Sequence, residues 1–343
     1  MYGPDKNATW SKVDILPSTS SANFKLIWST PFVIAITVLT VASLVLLPLV
    51  AISDFFRKSR WGGCRTHLFL AYFLTVEFLM LIVTVFCVVL ALFLKQPRRS
   101  RLFWGLQHFW TRWVSKGLMG LYNITISAEG LEELKDEPFI LLIKHTSMAD
   151  TTLPLHLFSI MRGTFLRYVL KEEMLNDPLF NIVARYFPNI FVRRGSGDAE
   201  SQYQRIEELS KGLNAGEGIV IFPEGTRYSD EKCRRVKEKL KNSDSEILRE
   251  HAATVKNVLP LRTGGALALM KNSEDARVII CGHVGFEGSR TMRNLWNGML
   301  IDQAVRVKFW VHEAKDIPTD EFAREKWLFD QWEVMDEWVT EQS

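Results

Sequence analysis

At 343 residues the chain has room for one large globular domain of about 200 to 250 residues and a membrane-attached segment besides. Its formal net charge of +3 is too small to argue for a nucleic-acid partner. Its four cysteines (Cys64, Cys87, Cys233, Cys281) include no Cys-x-x-Cys pair, so neither a zinc site nor a disulfide framework is indicated, and a reducing, cytosolic setting fits the globular part.

A polar segment, residues 1–31, comes first. Phe32 to Ile52 is then a 21-residue run without charge, long enough to cross a hydrocarbon core of roughly 30 Å at about 1.5 Å per residue. Leu68 to Leu94 is a second run of 27 residues, with Glu77 as its one charge and neither Gly nor Pro to break it. Residues 32–94 therefore read as a membrane anchor of two hydrophobic helices. The polar stretch before the first run, and the lack of a small-residue cleavage site after it, argue against a cleaved signal peptide. Orientation is divided. Arg57, Lys58, Arg60 and Arg65 lie between the runs and Lys95, Arg98, Arg99 and Arg101 follow the second, so two full spans place basic clusters on opposite sides. If one run only dips into the bilayer, both clusters meet the headgroups of one leaflet.

Residues 95–121 carry Trp104, Phe109, Trp110, Arg112, Trp113 and Lys116, the composition of a helix in the headgroup region or of an ordinary helix packed on the domain. From residue 122 to 343 apolar runs alternate with helical patterns. Phe139 to Ile143, Phe165 to Val169, Ile190 to Val192, Ile219 to Phe222, Val258 to Leu261, Val278 to Cys281 and Val305 to Val311 read as strands. The pattern predicts an α/β domain with a largely parallel mixed sheet flanked by helices. Lys232, Arg234, Arg235, Lys237, Lys239 and Lys241 mark a basic insertion, read as a solvated helical surface. In the tail, Leu328, Trp332, Met335 and Val339 recur at helical spacing among acidic residues, so this helix packs on its own domain rather than on an anionic bilayer.

Two stretches carry chemistry. His145 stands at the end of one apolar run with Asp150 five positions on, and Phe222-Pro223-Glu224-Gly225-Thr226-Arg227 ends another. Five residues on one helix turn through roughly 140°, so the pair can meet only if His145 precedes the helix and Asp150 falls in its first turn. The carboxylate then holds one imidazole N–H and leaves the other nitrogen to take a proton. Arg227 can grip an anion through parallel hydrogen bonds. No Gly-x-Ser-x-Gly elbow occurs, which argues against a serine hydrolase.

In this order and spacing the two stretches resemble the PlsC-like glycerolipid acyltransferase family, which includes the 1-acyl-glycerol-3-phosphate acyltransferases. Phe191-Val192-Arg193-Arg194 occupies the place of that family's second block, which gives Arg194, with Arg193 beside it, a substrate-binding role. Many members have an acid where this chain has Arg193, a departure that bears on the acceptor. Val258-Leu259-Pro260-Leu261 resembles the fourth block. The resemblance implies His145 and Asp150 as the catalytic pair and Arg193, Arg194, Glu224, Gly225, Thr226 and Arg227 as substrate-binding residues. It implies transfer of a fatty acyl group from an acyl thioester, on coenzyme A or acyl carrier protein, to the sn-2 hydroxyl of 1-acyl-glycerol-3-phosphate. Another lysophospholipid or lipid acceptor such as an amino-lipid, with the same chemistry, or a non-catalytic lipid-binding protein of the same fold, are the alternatives. The partners implied are membrane phospholipids and the lysophospholipid, with no metal or bound cofactor. The expected location is the cytosolic face of a bacterial inner membrane or the endoplasmic reticulum.

Overall fold

The computed structural model describes residues 19–95, 98–193, 199–273 and 275–342. Its contacts group into two compact units, interleaved along the chain. One comprises the described residues within Met1–Thr125, Thr152–Gly197 and Thr291–Gln303, the other those within Ile126–Thr151, Asp198–Arg290 and Ala304–Ser343.

In the first unit, helices α1 (Thr19–Ala42) and α2 (Leu47–Arg57) join through a 3-10 turn, and α3 (Gly62–Ala91) follows. Leu26–Arg57 and Gly62–Ala91 share a mean hydropathy of 2.7 and are long enough to cross a membrane. Helix α3 begins six residues before the predicted run because its first turn is capped from a distance. The Asp54 carboxylate accepts from the N–H of Gly63 (3.1 Å) and of Cys64 (2.8 Å), satisfying donors that a helix start otherwise leaves open. The intervening turn is tight, with Lys58, Arg60 and Trp61 at positive φ.

Helix α4 (Arg98–Tyr122) packs along α3. Tyr72 donates to the carbonyl of Trp113 (2.9 Å), Tyr122 to Thr66 (3.0 Å), and the Trp110 indole to Glu77 (2.8 Å), which answers the single charge of the Leu68 to Leu94 run. Phe103 and Leu106 of α4 join Met80, Cys87, Phe165, Leu179 and Phe187 in one core cluster, while Phe109 and Trp113 remain exposed. The helix is thus both packed on one face and aromatic on its open face. Strands β3 (Phe165–Lys171) and β4 (Ile190–Val192) pair in parallel in this unit, with α5 (Pro178–Val183) between them in sequence. Asp177 caps α5 by accepting from Phe180 N–H (2.8 Å).

In the second unit, strands run in the order β1 (Thr125–Glu129), β7 (Ala304–His312), β6 (Arg277–Val284), β2 (Phe139–Ile143), β5 (Glu217–Ile221). Strand β2 pairs in parallel with both β5 and β6, and β6 with β7 antiparallel, so the fold is α/β with a mixed sheet, as the sequence indicates. Every residue of β2 is buried, as expected of an unbroken Phe-Ile-Leu-Leu-Ile run covered on both faces. Helices α6 (Ala199–Ser210) and α9 (Thr263–Lys271) pack on each other, and α7 (Asp230–Leu240) on α8 (Glu246–Thr254). The basic insertion is α7. After α10 (Met292–Trp296, in the first unit), the tail forms α11 (Glu321–Gln342), which lies on β6 with Leu328, Trp332, Met335 and Val339 all buried.

Two strand assignments change. Thr125–Glu129 is a strand without an apolar run to announce it, since it alternates between exposed and half-buried positions. Val258 to Leu261 is not a strand. Pro260 lacks a ladder donor, and the neighbouring groups are satisfied by side chains. Trp332 donates to the Leu259 carbonyl (3.3 Å), and the Leu261 N–H donates to His251 Nε2 (3.1 Å).

Candidate active site

The site in the second unit grows from the ends of β2 and β5. Beyond Ile143, the Lys144 N–H extends the ladder by one bond to the Cys281 carbonyl (3.1 Å), and the chain then leaves the sheet at His145. Asp150 falls in the first turn of a short 3-10 segment, Ala149–Thr152. Its Oδ2 accepts from the N–H of Thr146 (2.5 Å) and Ser147 (2.8 Å), and Ser147 Oγ accepts in return from the Asp150 N–H (3.3 Å). This reciprocal lock turns Oδ1 to His145 Nδ1 at 3.0 Å, which leaves Nε2 as the nitrogen open to chemistry. Asp150 is fully buried, whereas the His145 side chain is 15% exposed. Burial pushes the Asp150 carboxyl up, but the His145 hydrogen bond and charge, His283 and the Ser147 N–H overcome it and hold it below the ordinary carboxylate range.

The second motif holds His145 by its backbone. After β5, Gly225 takes φ +72°, a conformation that favours glycine, and its N–H closes a turn on the Phe222 carbonyl (2.9 Å). The turn directs Glu224 inward, where Oε1 accepts from the His145 N–H (3.3 Å). The Tyr228 N–H donates to the His145 carbonyl (2.7 Å), so both backbone groups of the histidine are fixed by this loop. Phe222 sets its ring 4.6 Å from the imidazole. Burial pushes Glu224 up to about 8, against the opposing Lys144 charge and the His145 N–H.

The residues singled out in the sequence are therefore placed differently. His145, Asp150 and Glu224 converge. Gly225 shapes the turn, and Thr226 Oγ1 accepts from Lys232 Nζ (3.1 Å). Arg227 is half-exposed, and its guanidinium makes no hydrogen bond or ion pair among the described residues. Arg193, in the first unit, forks onto the Glu172 carboxylate at 2.7 and 2.9 Å. Arg194 lies outside the described residues.

Two further residues stand behind the pair. Lys144 is 1% exposed, and its ammonium donates to the His283 carbonyl (3.1 Å) and lies 3.8 Å from Glu287. Burial pulls Lys144 below its ordinary range, opposed by Glu287, Glu224 and Asp150. His283 Nε2 lies 3.0 Å from the Lys144 carbonyl and 3.5 Å from Asp150 Oδ2. Burial lowers His283 despite Asp150, so it acts as a neutral donor through Nε2. Lys144 carries one sequence signal, a lysine closing an apolar strand. His283 carries none, because only the pairing of β2 with β6 brings it near.

A histidine and an aspartate are thus locked at the exit of a central parallel strand of an α/β domain, with the glutamate of a neighbouring strand-end loop holding the histidine backbone. Residues 125–263 match the family model described as Acyltransferase. The chain is 32% identical over 138 residues to a lyso-ornithine lipid O-acyltransferase of Pseudomonas aeruginosa, covering 40% of this chain and 46% of that protein. It is 26% identical over 186 residues to the 1-acyl-sn-glycerol-3-phosphate acyltransferase epsilon of Mus musculus, covering 51% and 49%. The chain thus spans about half the length of these curated relatives. In fold it is similar to the crystal structure of the 1-acyl-sn-glycerophosphate acyltransferase PlsC from Thermotoga maritima, with a TM-score of 0.50 at 19% identity over 81% of this chain and 97% of that one. The segment 125–263 thus matches an acyltransferase family model, and the chain is similar there to acyltransferases of the PlsC-like kind.

Proposed function

We propose that the chain moves a fatty acyl group from an acyl thioester, on coenzyme A or acyl carrier protein, to the sn-2 hydroxyl of 1-acyl-glycerol-3-phosphate, giving phosphatidic acid. The observation that carries this reading is the 3.0 Å contact of His145 Nδ1 with a buried, doubly anchored Asp150, which aims Nε2 outward as a general base. His145 Nε2 takes the hydroxyl proton as the oxygen attacks the thioester carbonyl, and Asp150 stabilises the imidazolium. The tetrahedral intermediate collapses by breaking its C–S bond, and the departing thiolate takes the proton back from the imidazolium. This route uses no protein nucleophile, metal or bound cofactor. Arg227 binds the acceptor phosphate, and Arg194 keeps the substrate-binding role that the family resemblance implies. Glu224 and Gly225 fix the turn that holds His145, and Thr226 is tied to Lys232. Arg193, exposed and forked onto Glu172, is the neighbouring candidate for substrate binding.

A second acceptor is supported by one observation, the similarity to a lyso-ornithine lipid O-acyltransferase. The chemistry is the same, and only the headgroup differs. The deciding experiment offers purified protein an acyl thioester with a mixture of lysophosphatidic acid, other lysophospholipids and a lyso-aminolipid, and identifies products by mass spectrometry. Phosphatidic acid as the main product supports the first acceptor, a diacylated aminolipid the second, and the absence of any acylated lipid defeats both.

We also place the acyltransferase segment on the cytosolic face, where thioester donors are found, with α1 to α3 as its membrane anchor. The basic residues after the anchor support that side.

A further inference from the structure

We propose that Lys144 and His283 are positioning residues for the His145–Asp150 pair. Their reciprocal hydrogen bonds clamp the ends of β2 and β6 so that the Asp150 carboxylate meets His145 Nδ1 in a single geometry. The proposal rests on the general-base reading above. The last ladder pair of β2 and β6 is Ile143↔Cys281, and beyond it the Lys144 N–H reaches the Cys281 carbonyl. From there the clamp is made by side chains. Lys144 Nζ donates to the His283 carbonyl at 3.1 Å, and His283 Nε2–H donates back to the Lys144 carbonyl at 3.0 Å. These two bonds fix the strand ends one residue before His145, and the second requires the His283 tautomer protonated on Nε2.

The same Nε2 lies 3.5 Å from Asp150 Oδ2. That oxygen is therefore surrounded by the N–H groups of Thr146 and Ser147 and by a neutral imidazole, while Oδ1 faces His145. Lys144, His283 and Asp150 are all essentially inaccessible. The charged groups around Lys144 are Glu287, Glu224, Asp150 and Arg290. Packing alone does not explain such a cluster, because replacing a buried ionic group by apolar side chains of similar volume is often neutral or stabilising. Geometry does explain it. A base useful only within a narrow range of distance and angle needs a carboxylate that cannot rotate, and that carboxylate needs a fixed set of donors behind it.

The experiment compares full-length protein carrying His283→Gln, His283→Asn and Lys144→Met with the wild type, measuring kcat, KM for acyl thioester and for acceptor, and the thermal unfolding midpoint. The Gln amide places an N–H close to the position of Nε2, whereas the Asn amide places it nearer Nδ1. His283→Gln is expected to keep most of the wild-type kcat. His283→Asn and Lys144→Met are expected to lose on the order of 10²-fold in kcat with both KM values unchanged, the size of effect that a misplaced reacting group produces. Equal kcat in the Asn and Gln proteins, or losses that appear in KM rather than kcat, would overturn the proposal. A parallel His145→Ala protein separates the two levels. If it turns over like the wild type, the general-base reading fails; if it is inactive while the Asn and Gln proteins match, only the positioning role fails.

Discussion

Asp150 Oδ1 lies 3.0 Å from His145 Nδ1 because the other oxygen of the same carboxylate is already committed to two backbone N–H groups. The aspartate is both the cap of its own turn and the orienting partner of the imidazole. Its two tasks differ in what they need. Capping needs only an acceptor oxygen, whereas stabilising an imidazolium needs the negative charge.

That difference sets the first prediction. His145→Ala removes the proton acceptor and is expected to lower kcat by about 10²- to 10⁴-fold in a protein that still folds. Asp150→Asn can cap the turn through its remaining carbonyl oxygen but carries no charge, so kcat falls while the unfolding midpoint changes little. Measured turnover near wild type in a folded His145→Ala protein would rule out the mechanism.

The same pair illustrates how much was legible beforehand. His145 before the helix and Asp150 in its first turn follow from helical geometry, and the buried strand β2 follows from its unbroken apolar run. The tail helix follows from Leu328, Trp332, Met335 and Val339 at one face. What was illegible depends on partners distant in sequence. The start of α3 is set by Asp54 from the preceding helix, and His283 gains its meaning only from the β2–β6 register. Val258 to Leu261 has the composition of a strand, yet its backbone bonds go to Trp332 and His251, which no local pattern encodes.

The anion grip gives a second prediction. Arg227 is partly exposed and its guanidinium makes no hydrogen bond or ion pair among the described residues, which suits a side chain that receives a substrate anion. A hydrogen bond to a charged group is worth about 1.5 to 3 kcal/mol, so Arg227→Ala should raise KM for the acceptor by roughly 10- to 150-fold while leaving KM for the thioester near its original value. Arg194→Ala should act in the same direction. Steady-state kinetics with each substrate varied in turn provides the check, and equal effects on both constants would assign these arginines to the donor or to the scaffold.

A third prediction concerns His251, which links three elements of the second unit. It is 1% exposed, its Nδ1 lies 2.9 Å from Glu333 Oε1, and its Nε2 accepts from the Leu261 N–H. Accepting through Nε2 requires a neutral ring that donates through Nδ1. Burial, helped by the Lys237 charge, accordingly lowers its pKa from 6.5 to about 4. A histidine with a depressed folded pKa contributes stability that is fully present above its unfolded value and is lost as pH falls through the folded one. Wild-type stability should therefore decline through this group between pH 6.5 and about 4, as the unfolded state takes up the proton first. His251→Leu should be destabilised at neutral pH, because the buried Leu261 N–H loses its acceptor at about 1 to 3 kcal/mol. It should also show a shallower decline on acidification. Thermal or denaturant unfolding across that range decides, and parallel profiles for the two proteins would contradict the assignment.

The last prediction concerns the turn between α2 and α3. Arg57 donates to the Trp296 carbonyl at 3.3 Å and also meets Asn297, while Arg60 reaches the Ile301 carbonyl at 3.3 Å and pairs with Asp302. Gly62 is packed so closely that a Cβ there would lie 2.3 Å from the Gly298 nitrogen. Arg65 donates to the Leu121 carbonyl (2.7 Å) at the end of α4. All these partners follow the anchor in sequence and belong to the same compact unit as the turn. A turn held across a bilayer from these segments could not touch them, so the contacts favour one side of the membrane for the turn, Leu121 and residues 296–302. In a background lacking the native cysteines, Lys58→Cys should react with a membrane-impermeant thiol reagent only when the cytosolic face is accessible, and Glu341→Cys should behave in the same way. Labelling of Lys58→Cys from the opposite face would restore two full spans, and labelling of Glu341→Cys from that face would reverse the orientation of the whole chain.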